Sequence, residues 1–308
     1  MFGRKKDAGL AVVHVLDDRI DVARVATSAR PTVALCASYR KEESEIASLS
    51  RLRRELHLDR YRCATLMSAG SYQLQVLDAP DVPAQELKPA MRWKLKDALD
   101  YPVEEATVDV IAIPAGPGGP NRARAVYAVA ARNETIAQRM NAFAEARLPL
   151  SVIDIPEMAQ RNIATLFEVE RRALAMLSFS EQRGLLTLTS GGELYLARQI
   201  EIGLAQLVSS QGEERLQLFE RIVLELQRSL DHFDRQFSFV PLAKVMLPPL
   251  PEELGLDRYL GENLYLPIEV ARLDSVLDMQ AAPDLRQPAV QLQRFLALGA
   301  ALRGGGAA

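Results

Sequence analysis

The chain has 308 residues, of which 48% are hydrophobic and 25% charged, and its formal net charge is −3. This length allows a substantial core and two domains, and the composition excludes a chain that is disordered throughout. Both signs of charge are interspersed along the sequence, whose pI is near 5.8, so we expect no nucleic-acid binding through a basic stripe.

The chain starts with a short basic run, Arg4, Lys5 and Lys6. Stable membrane anchoring normally needs a larger basic patch or a lipid, so we interpret this run as an ordinary solvated terminus. The sequence has no apolar run of about 18 residues and no signal-peptide core. We therefore expect a cytoplasmic protein that is neither secreted nor membrane-spanning.

The N-terminal third predicts a β-β-β-α-β order, because β-prone runs surround a single amphipathic helix. Cys36 and Cys63 are the only cysteines, and both lie in strand-like runs, which favours buried, reduced thiols. The predicted strands cover 10–16, 19–26, 32–38, 61–68 and 71–78, and the helix covers 42–56.

Residues 79–132 read as an insertion. A helix is predicted over 86–99 and ends before Tyr101-Pro102, since a residue preceding proline is pushed out of the helical region. Its buried stripe is predicted to contain Leu87, Met91, Leu95 and Ala98. Two further strands, 106–113 and 123–131, form a hairpin around a glycine-rich tip, 114–120. We interpret that tip as a disordered loop, because no Gly-Lys-Ser/Thr follows and no helix opens there.

The first domain then resumes, and the opening pattern appears a second time. Asn133 is predicted to cap a helix with Ile136, Met140 and Phe143 on its buried face. Pro156 opens the next helix, after a strand over 151–155. Strands then follow at 174–180, 184–190, 193–202 and 243–248, with a long helix before the last of them. Two β-β-β-α-β units in one chain predict an internally duplicated α/β fold of the actin-like, ribonuclease H-like kind.

The long helix, predicted over 213–237, carries apolar residues three and four positions apart from Leu216 to Phe237. At the usual rise it would span about 37 Å. That spacing also fits a coiled-coil seam. Leu218 and Ile222 widen the apolar stripe, so we favour burial against a sheet.

Several segments together resemble the PilM- and MshI-type pilus-assembly proteins, which have an actin-like fold. The resemblance covers nearly the whole chain and rests on the order of its motifs. These motifs are RWKLKDALDYPVEEATVDV (92–110), SVIDIPEMAQRNI (151–163), GELYLARQIEIG (192–203), ELQRSLDHF (225–233), LPIEV (266–270) and LQRFLALGAALR (292–303). The chain is also similar to the cytoplasmic part of type II secretion protein L. That protein usually continues into a membrane span, which we do not find here.

The resemblance implies two actin-like domains and an inserted subdomain. We expect the first domain to comprise 1–84, 133–170 and 290–303, and the second to comprise 171–289. The inserted α+β subdomain is expected over 85–132, and 304–308 is expected to be a disordered tail.

Nucleotide-binding members of this superfamily use three sites, and this sequence departs from each. Asp17 and Asp18 stand in the first turn without the glycine that lets backbone amides approach phosphate. The second turn is expected at 178–181, which lacks both aspartate and glycine, and Pro248-Pro249 replaces the glycine pair of the third site. We therefore expect no cofactor, and neither ATP nor Mg²⁺ to bind tightly.

We find no catalytic constellation. His14, His57 and His232 are isolated from cysteine and from one another, and no Gly-Xaa-Ser-Xaa-Gly elbow occurs. The resemblance leaves two functions open, an assembly adaptor and an actin-like ATPase of pilus or type II secretion assembly.

An adaptor of this kind would bind the cytoplasmic N-terminus of a PilN-like inner-membrane protein in a groove beside the inserted subdomain, and would contact the membrane only peripherally. The assembly ATPase of the same system is a further expected partner. Trp93 lies off the buried stripe of its helix, so it is a candidate partner contact, together with Tyr101 and Tyr127. Packing of Trp93 within its own subdomain is the alternative.

Overall fold

A computed structural model describes residues 9–26, 28, 30–116 and 124–303. The described residues form two compact units, one made of residues up to Ile20 and Tyr39–Pro156, the other of Asp21–Ser38 and residues from Glu157 onward. The predicted domain boundaries stay a prediction. The expected tail, 304–308, and most of the expected loop tip lie outside the described residues.

The strands and helices follow the predicted order closely. The strands are β1 Leu10–Val15, β2 Arg19–Ala26, β3 Thr32–Arg40, β4 Arg62–Leu66, β5 Tyr72–Ala79, β6 Ala106–Ala112, β7 Arg124–Arg132, β8 Leu150–Asp154, β9 Ala173–Phe179, β10 Gly184–Ser190, β11 Glu193–Ile200, β12 Leu242–Leu247 and β13 Ile268–Val270. The helices are α1 Glu45–Glu55, α2 Ala84–Leu95, α3 Asn133–Glu145, α4 Pro156–Thr165, α5 Leu204–Ser209, α6 Gly212–Gln236, α7 Leu256–Asn263, α8 Leu273–Val276 and α9 Pro288–Ala301.

Two five-stranded sheets have the same strand order. The first is β3-β2-β1-β4-β8 and the second is β11-β10-β9-β12-β13. In each sheet the first strand of the meander pairs in parallel with the strand that follows a helix, as β1 does with β4 and β9 with β12. Parallel neighbours need such a crossover, because the end of one strand and the start of the next lie at opposite edges of the sheet. The repeated order confirms the predicted duplication.

The inserted region forms a third sheet. It has the order β5-β7-β6, with antiparallel pairing throughout, and it includes the predicted hairpin. β5 belongs to this sheet, since it pairs with β7 along its whole length. Helix α2 covers one face of it, where Leu95 packs with Ala128 and Ala130. Ala98, predicted to be buried, is exposed because α2 ends at Leu95.

Two predictions about α3 were wrong in detail. The N-cap is Arg132, and Asn133 is the first helical residue. The side-chain amide of Asn133 instead accepts a hydrogen bond from the Thr107 hydroxyl at 2.8 Å and donates one to the Glu104 carbonyl at 3.1 Å. These bonds tie α3 to the start of β6. Met140 is 54% exposed rather than buried, whereas Phe143 is fully buried.

Helix α6 buries its apolar face within the chain. Phe233 is fully buried and lies against Tyr195 of β11, with ring centroids 6.0 Å apart. Leu218 and Ile222 are also buried, as the wide stripe predicted. This confirms burial against a sheet. Among the predicted stripe residues, only the first is not buried, because Leu216 is 43% exposed.

Gly299 marks a close approach of two helices in the second unit. A Cβ on Gly299 of α9 would overlap the backbone carbonyl of Ala159 in α4, and Asn162 of α4 donates to the Gly299 carbonyl at 2.9 Å. We therefore expect Gly299→Ala to lower the free energy of unfolding by about 2 kcal/mol, as overpacking does. Urea unfolding followed by circular dichroism measures this change.

Gly261→Ala in α7 is the matched control. The nearest atom to its added Cβ would be 3.9 Å away, so the higher helix propensity of alanine should raise stability by up to about 1 kcal/mol. Equal effects of the two substitutions would show that the α4–α9 approach imposes no restriction.

His14 predicts a pH dependence of stability. Burial, with the nearby charges of Arg19 and Arg139, lowers its pKa from 6.5 to about 4. The unfolded chain therefore binds a proton between these values while the folded chain does not. Stability is unaffected above pH 6.5 and falls as the pH drops towards 4, by about 2 kcal/mol at pH 5. His14→Leu should flatten this part of the profile, and urea unfolding at several pH values measures the change.

The two cysteines are buried, as predicted. Burial raises the pKa of Cys36 and that of Cys63 to about 12, so neither is a thiolate at neutral pH.

Candidate partner-binding groove

A groove of about 360 Å³ lies in the first unit, at the carboxyl ends of β4 and β8. The first turn of α1 and the first three turns of α3 form its sides, because both helices start at this edge of the sheet. We call it the α1–α3 groove. Its lining residues are Ser44, Glu45, Ile46, Leu66, Met67, Ser68, Ser71, Thr135, Ile136, Gln138, Arg139, Ala142 and Ile153.

The groove adjoins the inserted sheet. Ser71 directly precedes β5, and Thr135 follows β7 by three residues. The chain therefore leaves for the insertion and returns from it at the groove. The family resemblance implies a partner site beside the inserted subdomain, and that location stays a prediction.

The lining mixes apolar and polar side chains and contains one ion pair. Arg139 Nη1 of α3 lies 2.8 Å from Glu45 Oε1 of α1, and both side chains remain partly accessible. Ile46, Ile136 and Ile153 supply apolar surface, while three serines and a threonine supply hydroxyl groups. Such a mixture suits a short peptide, whose side chains enter apolar pockets while its backbone finds polar partners.

The three predicted contact residues lie in the inserted region, in different environments. Trp93 of α2 is 76% exposed, with Lys96 Nζ 5.9 Å from its ring centroid. Tyr101 is half-buried and stacks with the Arg132 guanidinium at 4.0 Å. Burial raises the pKa of Tyr101. Tyr127 is only 3% exposed, because it lies in the central strand β7, so it offers no surface to a partner in this structure.

The β1–β2 turn is tied down by Lys41. The Lys41 ammonium donates to the Leu16 carbonyl at 2.7 Å, and its amide donates to the Asp18 carbonyl at 3.0 Å. Asp17 and Asp18 are exposed, and Asp18 pairs with Arg19 at 3.3 Å. The turn thus presents two exposed carboxylates, while its Leu16 and Asp18 carbonyls are already bonded to Lys41.

The β9–β10 turn is Ser180–Arg183, two residues later than predicted. Ser178 is still in β9, where its buried hydroxyl donates to the Gln160 side chain. Within the turn, the Ser180 amide donates to the Arg183 carbonyl at 2.8 Å. The start of α5 packs on this turn, since the Leu204 amide donates to the Ser180 carbonyl at 2.8 Å. A Cβ at Gly203 would overlap the turn backbone, so this contact needs glycine.

The third site follows β12, as predicted. β12 ends at Leu247, and Pro248-Pro249 come next, so neither position has an amide to offer. Among the described residues, no cluster of three histidine, cysteine, aspartate or glutamate side chains is arranged to hold a metal ion. Nor does any described helix have the length and apolarity to cross a membrane.

The two equivalent sheets and the three-stranded insertion define an actin-like fold. The family model of the type IV pilus assembly protein PilM matches residues 16–210, and the chain belongs to that family. It is therefore a pilus-assembly component.

Several solved structures are similar to this chain. A PilM–PilN type IV pilus biogenesis complex is 22% identical, with 96% of this chain and 98% of that chain covered and a TM-score of 0.70. The cytoplasmic domain of EpsL, an inner membrane component of the type II secretion system of Vibrio cholerae, is 11% identical, with 94% of each chain covered and a TM-score of 0.49. A Bacteroides thetaiotaomicron protein with an actin-like ATPase fold is 10% identical, with 92% and 95% covered and a TM-score of 0.48. Comparison with curated proteins finds no match.

Proposed function

We propose that this chain is an adaptor of the inner-membrane pilus-assembly platform. It binds the cytoplasmic N-terminal segment of a PilN-like membrane protein in the α1–α3 groove. The observation that carries the proposal is this groove of mixed apolar and polar lining, with its Glu45–Arg139 pair, beside the insertion of a PilM-family chain. A solved relative of the same fold is a PilM–PilN complex, which supports the choice of partner.

The groove suits an extended segment rather than a folded domain. Its volume, about 360 Å³, is at the lower end of the range for ligand sites, roughly 300–1,000 Å³. Glu45 offers an acceptor to backbone amides or a basic side chain, and Arg139 offers a donor to carbonyls. Titration of the purified chain with the N-terminal segment of a PilN-like protein from the same organism tests the proposal, and saturable one-to-one binding is expected.

The adaptor role places the chain in the cytoplasm, peripheral to the inner membrane through its partner. The resemblance to MshI favours the mannose-sensitive (MSHA) pilus as the system served. The assembly ATPase of that system is a second proposed partner. Co-purification of the tagged chain from cells that carry only the MSHA genes, or only another pilus system, tests this choice.

The adaptor works without nucleotide hydrolysis, and the alternative is an actin-like ATPase with altered motifs. Support comes from Pro248-Pro249 at the third site, which offer no amide donors, and from the exposed Asp17 and Asp18 carboxylates at the first turn, which repel phosphate. We expect no saturable binding of a fluorescent ATP analogue with Mg²⁺ up to about 1 mM. A Kd of about 1 mM corresponds to a binding free energy of only about −4 kcal/mol. Saturation in the micromolar range would support the ATPase instead.

A further inference from the structure

Seven exposed side chains on the solvent-facing side of α6 form a stripe with a symmetric order of charges. At about 3.6 residues per turn, all of them point within about 40° of Leu224, on the side opposite the buried Phe233. Leu224 lies at the centre of the stripe, and the other six residues are polar. We call this set the outer stripe, and it consists of Glu213, Gln217, Glu220, Leu224, Arg228, Asp231 and Arg235.

The order of these charges is complementary to itself when it is reversed. Glu220 and Arg228 each lie four residues from Leu224. Glu213 and Arg235 each lie eleven residues from it. Two α6 helices packed antiparallel about Leu224 bring residues at equal distances from it to the same height. Each of these glutamates then faces an arginine of the other copy, so opposite charges meet along the whole contact.

The remaining positions of α6 agree with this pairing. Gln217 and Asp231 each lie seven residues from Leu224, so the amide of one copy can donate to the carboxylate of the other. Glu214 and Asp234 also lie at equal distances, but about 80° to opposite sides of Leu224, so these like charges do not face each other. A parallel pair of helices would instead place every charge of the stripe against its own copy.

Roles within a single helix explain only part of the outer stripe. Acidic residues in a first turn and basic residues in a last turn stabilise helix ends, which accounts for Glu213 and Arg235. Arg228 pairs with Glu225 at 3.3 Å, yet the Arg228 side chain remains 62% exposed and accessible to a second copy. Glu220 lies in neither end turn. A solvated helix face requires neither this order of charges nor an exposed leucine at its centre.

We propose that α6 of one copy of the chain binds α6 of a second copy through the outer stripe, antiparallel and with two-fold symmetry. A two-fold contact uses the same surface on both copies, which is what a self-complementary stripe provides. α6 has 25 residues, so the contact is at most about 37 Å long, and a width of about 10 Å gives roughly 400 Å² on each copy. Stable interfaces bury roughly 1,200 Å² or more in total, so this dimer is weak and transient.

Sedimentation equilibrium of the full-length chain tests the proposal. In low salt we expect the mass to rise from the 34.1 kDa of the monomer towards twice that value between about 1 and 500 µM. About 0.5 M NaCl should return the chain to the monomer, because it screens exposed charges. A chain that stays monomeric up to about 500 µM in low salt would overturn the proposal.

Charge exchange locates the contact. Glu220→Arg and Arg228→Glu should each raise the Kd of the dimer at least about tenfold, because each substitution places like charges against each other twice. The two substitutions together exchange the charges and should restore the Kd to within about threefold. Glu170→Arg, at an exposed position of the same unit outside α6, changes the net charge as Glu220→Arg does and should retain the dimer. A double variant that associates as weakly as the single variants would contradict the proposal, provided that circular dichroism shows the same helix content in all of them.

Cross-linking determines the orientation of the two helices. The two native cysteines are buried, so a short bismaleimide reacts with an introduced cysteine alone. Leu224→Cys should give a covalent dimer, since its two thiols meet at the two-fold axis. Gln217→Cys should not, because an antiparallel pair separates its two thiols by about 21 Å. Cross-linking of both variants would indicate a parallel pair, and cross-linking of neither would exclude the outer stripe. No PilN-like segment is present in these experiments, so their outcome is independent of the adaptor proposal.

Discussion

Ala142→Trp is expected to weaken binding of the PilN-like segment by about 100-fold, close to 3 kcal/mol. Ala142 lines the α1–α3 groove from α3, one turn after Arg139, and is partly accessible. An indole there would occupy the space that the segment's side chains need, and truncation or blockage at the centre of an interface typically costs 2 kcal/mol or more. Isothermal titration with the N-terminal segment measures the change.

Met140→Trp is the matched control. Met140 lies on the same helix, two residues and therefore about 200° away, and is 54% exposed outside the groove. It should leave affinity unchanged. Equal losses from both substitutions would indicate a general effect on α3, and unaltered binding by Ala142→Trp would exclude the groove.

Trp93→Ala distinguishes the groove from the surface that the sequence favoured. Trp93 is exposed on α2, so it can bind a partner without any involvement of the groove. Weakened binding by Trp93→Ala together with normal binding by Ala142→Trp would move the partner site to α2. Weakened binding by both would mean that the segment extends from the groove across the insertion.

The fold could be predicted from the sequence because its signals are local. Strand β2 was predicted at its observed bounds, and β10 likewise, since β-prone runs and turn residues mark both ends. The duplication followed from the order of elements alone. The details that the sequence placed wrongly depend on contacts between elements that are distant in the chain. Asn133 bonds to Thr107 instead of capping α3, and Ser178, predicted in a turn, lies in β9, where it donates to Gln160.

The groove could be located only coarsely. Family resemblance placed a partner site beside the insertion, but its lining residues are spread over three stretches, near 44–46, 66–71 and 135–153. Ile136 and Ala142 read as ordinary helix positions, since no local pattern shows that α1 will lie opposite them. Tyr127 illustrates the reverse problem. An aromatic residue in an alternating strand fits either face, and only the central position of β7 shows that it is buried.

Phe233→Ala is expected to lower the free energy of unfolding by about 4 kcal/mol, the largest effect we predict for stability. Phe233 is fully buried in α6, with Tyr195 edge-on at 6.0 Å and Phe237 at 5.2 Å between ring centroids. Removal of a buried phenyl ring leaves a cavity and typically costs 3–5 kcal/mol. The higher helix propensity of alanine returns only about 0.5 kcal/mol. Urea unfolding followed by far-ultraviolet circular dichroism measures the difference.

Leu224→Ala on the same helix is the control, because Leu224 is 45% exposed and its loss should change stability by less than about 0.5 kcal/mol. The pair also distinguishes the two interpretations of the α6 stripe. If Phe233 packs on the sheet of its own unit, its substitution destabilises the chain at any protein concentration. If the stripe were a seam between chains, the loss would grow on dilution, because association would supply the stability. Equal behaviour of Phe233→Ala and Leu224→Ala would contradict the packing of α6 described above.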